Sequence, residues 1–587
     1  MTNEGSFDEL IKRWSETALE KNMDRKNFIS GASKLAGLSL GLALTQSVTG
    51  LEVINAAPKF NDYPFSLGVA SGDPLSDSVV LWTRLAPDPL NGGGMPNEPV
   101  KVKWEVAKDE NFRKMVQKGK VAAVPELGHS VHVEVDGLKP NQVYYYRFIC
   151  GGEVSQTGKT KTLPAEGSSV KNLTFAFASC QQFEHGYFTA YKHMAKEDLD
   201  IVFHLGDYIY EYGPNEYISS TGNVRVHSGP EIMSIEDYRN RYAQYRSDVH
   251  LRAAHAAFPW VVTWDDHEVE NNYANLIPEK GQSVEAFVKR RAAAYQAYYE
   301  HMPLRRSSLP EGADMRLYRS FSYGDLANFF VLDSRQYRDD QANGDTSSPQ
   351  TEESLDPSRT LLGAEQENWL ADGLSNSNSK WNVLPQQIFF AERNYGTPTE
   401  PRYSMDSWDG YPAARERVME VVNSNDITNL VVLTGDVHAS WASNLKEDYS
   451  DPNSKTVGVE FVGTSITSGG NGADKRADTD KILAQNPHIK FFNDYRGYVR
   501  CTVTPEQWRT DYRVVPFVTE PGADISTRAS FVYDKDQSGL KKVSSARVSE
   551  GVQKTNEVEE DRTRAHNRAH EKQKQKKKQN NKQKVTN

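Results

Sequence analysis

The sequence predicts an α/β domain preceded by a small all-β sandwich domain. Three observations lead to it. Between Tyr63 and about Leu163, apolar and polar residues alternate with the period of half-buried strands. Beyond Lys171, apolar runs alternate with helical stretches, the pattern of strands joined by helices. At 587 residues the chain exceeds one ordinary core, so two domains are expected.

Composition narrows the function. The 37% hydrophobic and 25% charged residues are those of a soluble globular chain. A net charge of −10 argues against a general nucleic-acid binder, whose affinity rests on neutralising phosphates. The three cysteines, Cys150, Cys180 and Cys501, allow one disulfide and leave a thiol for another use. The many Tyr, Phe and Trp residues suit cleft walls or a β-rich core.

The first element reads as an address. Residues 21–34 are basic, and residues 36–51 are apolar and uncharged. That run is shorter than the roughly 20 residues a membrane span needs. Ile54-Asn55-Ala56 then offers a small-residue cleavage site, so residues 1–56 are expected to be a cleaved secretory signal. A buried amphipathic helix is the alternative. Asp24-Arg25-Lys26-Asn27-Phe28-Ile29 resembles a twin-arginine export motif, with Lys26 at the second arginine. The resemblance implies the twin-arginine export machinery as a partner and a secreted product.

The second element, residues 60–165, carries the strands of the sandwich. Val100, Val102, Trp104 and Val106 alternate, as do Val131, Val133 and Val135, with turn signals between the runs. The segment from Leu138 to Arg147, containing Tyr144 and Tyr146, resembles the tyrosine-corner strand of a fibronectin type III module. His129 and His132 belong to no chemical constellation and read as surface or satisfied histidines.

The third element, residues 171–545, holds the chemistry. Strands are expected at 173–178, 201–205, 260–263, 327–332, 381–385 and 430–433, and helices at 187–196 and 284–301. In α/β sheets, ligands bind beyond the carboxyl ends of strands. There the sequence places Cys180, then Gly206-Asp207-Tyr208-Ile209-Tyr210, then Asp265-Asp266-His267-Glu268 followed by Asn272. Asp333-Ser334-Arg335 with Arg338 and Gly435-Asp436-Val437-His438 follow two later strands. Aspartates are hard oxygen donors, whereas a thiolate is softer and a phenolate suits high-valent iron, so the mixed set points to more than one ion. Paired ions can clamp a phosphoryl group and activate water, and an arginine can grip phosphate oxygens with two donors. This is equipment for phosphate-ester hydrolysis. Cys180 as a nucleophile is the competing reading, without the Gly-rich phosphate cradle that would accompany it.

Gly206-Asp207-Tyr208-Ile209-Tyr210 resembles the G-D-x-x-Y block of calcineurin-like and purple acid phosphatase metallophosphoesterases. Asp266-His267-Glu268 and Gly435-Asp436-Val437-His438 sit where those enzymes carry further ligand blocks, and Ser179-Cys180-Gln181 replaces their first block. That combination resembles the PhoD family of alkaline phosphatases and phosphodiesterases. The resemblance implies a metallophosphoesterase-type β-sandwich core flanked by helices. It implies a ferric ion, Fe3+, on Cys180, Asp207 and Tyr210. It implies Ca2+ partners drawn from Asp207, Asp265, Asp266, Asn272, Asp436 and His438. Arg335 and Asn272 would bind phosphate. His267 would either protonate the leaving group or orient Asp266. The nucleophile would be a metal-activated hydroxide acting on phosphodiesters and phosphomonoesters. The implied role is phosphate scavenging, teichoic acid turnover included, by an exported monomer.

Trp408, Asp409-Gly410-Tyr411 and Trp441 suit a cleft rim or plain core packing, and residues 464–472 form a small-residue loop that either lies over the site or is simply a loop. Residues 546–587 turn acidic at 557–561 and then basic, and are expected to be a solvated tail. Such a tail could touch anionic cell-wall polymer, and a helix over 552–570 could cover the site. The alternatives to a phosphodiesterase are a strict phosphomonoesterase and, from another class, a non-catalytic cell-surface binding protein with a structural metal site.

Overall fold

The computed structural model describes residues 59–279, 281–535 and 539–546. The expected signal at 1–56 and the expected helix at 552–570 lie outside the described residues.

Two sheets face each other, one of ten strands and one of seven. In the first, Leu173–Ala178, Ile201–Leu205 and Pro259–Thr263 lie side by side and parallel. In the second, Ala327–Val331, Trp381–Pro385, Leu430–Thr434 and Thr456–Val462 are parallel. The central strands are buried on both faces, which is why they read as continuous apolar runs. Their two-residue period sorts the side chains. Phe175 and Phe177 share the space between the sheets with Phe329, Val431 and Phe461. Ala176 and Ala178, one step out of phase, pack on the other side with residues of the helices Ile235–Arg246, Val249–Ala257 and Val284–His301. The second sheet is covered in the same way, where Phe330, Leu384 and Val432 meet the helices Gly363–Ser375 and Pro412–Ser424. Two packed sheets between helix layers result. The longest helix, Val284–His301, starts where Ser283 accepts a hydrogen bond from the Ala286 amide, a side-chain cap.

The N-terminal residues are joined to this body through the sheet. Val69–Gly72 pairs parallel with Pro259–Thr263, so Val69–Gly72, Val79–Arg84 and Ser130–Val135 complete the ten-stranded sheet. Across a core containing Leu81, Val102, Val131 and Phe148, these strands pack on a five-stranded sheet that includes Val100–Ala107, Met115–Ala123 and Val143–Cys150. The Tyr144 hydroxyl accepts from the Lys139 amide at 2.9 Å, closing the corner before its strand. The sequence marks these strands but not their partner, because alternation shows which face is buried and not what buries it. At the seam, a Cβ on Gly72 would lie 2.6 Å from the carbonyl oxygens of Pro303 and Trp260, so only glycine fits. The Trp82 indole donates to the Glu300 carbonyl at 2.9 Å, and Arg319 pairs with buried Asp73 at 2.7 Å.

His132 stacks on Tyr299 and contacts the Tyr299 and Met302 carbonyls, and His129 contacts the Glu98 carbonyl; both are satisfied. Cys150, Cys180 and Cys501 are all free and buried, so the one disulfide that composition allowed is not formed among them. Trp408, Tyr411 and Trp441 are buried in the core beneath the second sheet and do not form a rim. Asp409 is buried against Arg415 at 2.7 Å.

Candidate active site

The carboxyl ends of the parallel strands in both sheets converge. The residues there share an unusual backbone. Cys180, Asp207, Asn272, Asp436 and His438 all have φ between 50 and 61°, the left-handed region that non-glycine residues seldom occupy. Strand ends alone do not require this backbone. Gly206, at φ 104°, makes the approach possible, since a Cβ there would lie 2.4 Å from the Asp265 Cβ.

Three ligand groups form, each with its donor atoms within 4.8 Å of one another: Cys180, Asp207 and His438; Asp207, Asp266 and His267; Asp265, Asp266 and Asp436. Asp207 belongs to the first two and Asp266 to the last two. The Tyr210 hydroxyl donates to Asp207 Oδ2 at 2.8 Å and lies 3.2 Å from His438 Nε2. The Ser468 hydroxyl, from the loop at 464–472, lies 2.7 Å from both the Tyr210 hydroxyl and the Cys180 carbonyl. His438 thus stands with Cys180 and Tyr210. The resemblance places it among the calcium ligands, and here it shares a group with Asp207, a residue the resemblance assigns to both kinds of ion, while Asp436 falls in the group of Asp265 and Asp266.

Arg335 is buried on the other side. Its Nε donates to Asp265 Oδ1 at 2.5 Å and its Nη1 to Asp406 Oδ1 at 2.7 Å. Its Nη2 lies 3.6 Å from Asp266 and 3.7 Å from Asp436, and makes no hydrogen bond. Arg338 does not stand beside Asp265; it donates to Asp406 at 2.6 Å. Asn272 donates its amide N–H to Asp266 Oδ2 at 2.7 Å, and its side chain donates to Asp345 at 2.7 Å. Its side chain is therefore engaged outside the aspartate group.

His267 is clamped. Its Nδ1 lies 2.8 Å from Glu211 Oε2, and its ring lies against Tyr210 with centroids 4.2 Å apart. Burial depresses His267, but Glu211, Asp266 and Asp207 outweigh it and hold the imidazole well above its ordinary pKa. Glu268 accepts from the amides of Asp207, Tyr208 and Asp265, tying two ligand loops together. Residue order gives no role to Glu211, Asp345, Asp406 or Ser468, and carries Glu268 only as the last member of the Asp266-His267-Glu268 block. Glu211 adjoins Tyr210 at the end of its motif, which is a usable signal. Asp406 lies in an irregular segment with no pattern to mark it.

The electrostatics test whether cations fit. Burial drives Asp207, Asp265 and Asp436 well above the usual carboxylate range. Asp266 is pulled up by burial but held below that range by Arg335 and His267. Burial, and then Asp207 beside it, push the Cys180 thiol well above its ordinary value. His438 is depressed by burial and by Arg496. One oxygen each of Asp207, Asp265 and Asp266 is buried without a hydrogen-bond partner. Crowded carboxylates with unpartnered oxygens, beside a thiol and a phenol, are the donor set that multivalent cations satisfy.

A two-sheet α/β core whose strand ends gather such donors around a buried arginine defines a candidate hydrolytic site able to hold cations. A family model for PhoD-like phosphatases matches residues 175–512, and one for the N-terminal domain of PhoD-like phosphatases matches residues 52–164. The chain belongs to the PhoD-like phosphatase family and is a hydrolase of phosphoric esters. It is 71% identical over 568 residues to alkaline phosphatase D of Bacillus subtilis (strain 168), with 97% of each chain covered. It also matches a solved structure of PhoD at 74% identity and a TM-score of 0.87, over 89% of this chain and 100% of that one.

Proposed function

We propose that the chain hydrolyses phosphodiesters and phosphomonoesters with a ferric ion on Cys180, Asp207 and Tyr210 and calcium on the aspartates around Asp266. One observation carries this: the ligand groups are chained through Asp207 and Asp266, and the last of them meets Arg335 Nη2, which lies 3.6 Å from Asp266 and 3.7 Å from Asp436 and makes no hydrogen bond among the described residues. Ions held there would supply Lewis acidity toward phosphoryl oxygens and lower the pKa of water. The protein does the rest. Arg335, fixed at Nε and Nη1, offers Nη2 to a phosphoryl oxygen. His267, kept protonated by Glu211, gives its proton to the departing ester oxygen. Glu268 holds the loops of Asp207 and Asp265 at their spacing. The Cys180 thiol, pushed up by burial, is a poor free nucleophile, which favours the ligand role.

The same reading has the protein exported by the twin-arginine route and scavenging phosphate from extracellular esters, teichoic acid included. The motif at Arg25 and the apolar run at 36–51 support export. The test is turnover of bis(p-nitrophenyl) phosphate beside p-nitrophenyl phosphate, with and without chelator, together with metal analysis of the purified protein. Chelator-sensitive turnover of both esters with bound iron is expected. Undiminished turnover in iron-free, chelated protein would overturn it.

A further inference from the structure

The five-stranded N-terminal sheet has a face that the chemistry above does not use. Alternation places Val100, Val102 and Val106 in the core and sends Lys101, Lys103 and Glu105 outward. The register puts Lys103 directly opposite Lys120 and Glu105 opposite Lys118 on the neighbouring strand. On the other flank, Arg147 lies opposite Glu105 and pairs with it at 2.8 Å, and Lys159 lies opposite Tyr145. Lys161, at the far edge, pairs with Asp200 at 2.5 Å. Against the seven basic side chains Lys101, Lys103, Lys118, Lys120, Arg147, Lys159 and Lys161 stand two carboxylates, Glu105 held by Arg147 and Asp200 held by Lys161.

Like charges directly opposite in a sheet destabilise it. Lys103 and Lys120 are so placed, both exposed, and among the described residues Lys103, Lys118, Lys120 and Lys159 form no ion pair. The chain as a whole carries −10, so the basic face is set against the sign of the protein. Neighbouring strands stand about 4.8 Å apart and same-face residues about 7 Å apart, which makes a ladder of point charges. Among the described residues, the exposed apolar side chains of this sheet are Met115 and Val154, at strand ends, and half-buried Ile149 stands opposite Lys103; no Trp, Phe or Leu is exposed there. A ladder of ammonium groups with no exposed aromatic ring between them suits a flexible chain of regularly spaced anions.

We propose that this face docks a linear phosphodiester polymer by its backbone charges, holding polymeric substrate on the protein apart from the hydrolytic site. The proposal rests on the phosphodiester reading above for the polymer's fate but not for its binding. The contacts would be charge-to-phosphate, so binding weakens with salt because the release of condensed counterions gains less entropy as the bulk salt rises.

The test compares wild type with the triple variant K103E/K118E/K120E. Fluorescence anisotropy follows binding of labelled poly(glycerol phosphate), labelled oligothymidylate and anionic phosphatidylglycerol vesicles across a salt series. Both polymers should bind wild type, and the variant should lose about ten-fold or more in affinity for each, with a shallower salt slope. Turnover of p-nitrophenyl phosphate should be unchanged, which also shows that the variant folds and separates this result from the active-site reading. Equal polymer binding by the variant overturns the proposal. Binding of oligothymidylate alone, or of vesicles alone, overturns it in favour of base recognition or a lipid surface.

Discussion

Arg335 donates through Nη1 to Asp406 Oδ1 at 2.7 Å, and the same oxygen takes Arg338 at 2.6 Å and Gln341 at 2.8 Å. One carboxylate oxygen therefore holds Nη1, as Asp265 holds Nε, of the arginine whose Nη2 faces Asp266 and Asp436. Burial raises the Asp406 carboxyl, but Arg335 and Arg338 hold it well below the usual range, so it stays ionised. Gln341 also donates to the Asn272 carbonyl at 2.9 Å, which links the arginine to the loop that positions Asp266.

Asp406→Asn should leave Arg335 present but misplaced. We expect kcat/KM for p-nitrophenyl phosphate to fall about 100-fold, as for a misplacement of about 1 Å. Inhibition by inorganic phosphate should weaken in parallel, because both depend on the same donor. Unchanged phosphate inhibition would mean that Arg335 does not bind the phosphoryl group.

Cys180→Ser should keep the fold and lose iron. The expected readouts are an unchanged far-ultraviolet circular dichroism spectrum, a visible charge-transfer band that disappears, and iron below stoichiometry by elemental analysis. A colourless wild-type protein with full activity would remove the basis for this ligand role.

Glu211→Gln removes the largest of the charges that raise His267. The imidazolium then loses its proton at lower pH, so the alkaline limb of the kcat profile should move to lower pH. Esters with alkyl leaving groups should suffer more than p-nitrophenyl esters, since only poor leaving groups need the proton. Equal losses on both substrates would favour the role of His267 as an orienter of Asp266.

Metal removal should make stability fall as pH rises. Asp207, Asp265 and Asp436 have folded pKa values raised by burial, and Glu268 is raised to about 8 by the same cause. A raised folded pKa gives stability that is present below the unfolded value, about 4, and is lost as pH climbs through the folded value. Asp266 and Asp406, which are lowered, complete their titration below that window. The Tm of chelated protein should therefore drop between about pH 5 and about pH 9, and bound cations should flatten the drop. Parallel curves with and without chelator would contradict the crowded-carboxylate account.

Gly72→Val should strike the seam between the N-terminal strands and the body. Its Cβ would meet backbone oxygen at 2.6 Å on two sides. We expect a loss of up to about 3 kcal/mol, the upper range for overpacking, and one shared unfolding transition in calorimetry. Two separate transitions would show that the sheet is not cooperative across the seam.

Much of this was legible from residue order. Strands at 173–178, 201–205 and 381–385 and the helix at 284–301 form over the residues expected, because their apolar runs are buried on both faces or carry a clear cap. Cys180, Asp207, Tyr210, Asp265, Asp266, Asp436 and Arg335 announce themselves by following such strands. What sequence could not supply was pairing. The union of Val69–Gly72 with Pro259–Thr263 joins positions almost 200 residues apart with no local mark. Asp406 reaches Arg335 from an irregular loop, and spacing along the chain does not reveal that His438 and Asp436, two residues apart, fall in different ligand groups.

Those φ angles set two selective pressures against each other. At Cys180, Asp207, Asn272, Asp436 and His438 the residue that the backbone itself prefers is glycine, and each present occupant is strained by about 1 kcal/mol or more. Glycine at any of them would relax the chain while deleting a donor or its support. A population of variants sorted only by heat resistance would therefore be drawn toward glycine at the very positions that turnover requires, and thermostabilising campaigns on this scaffold should hold these five positions constant.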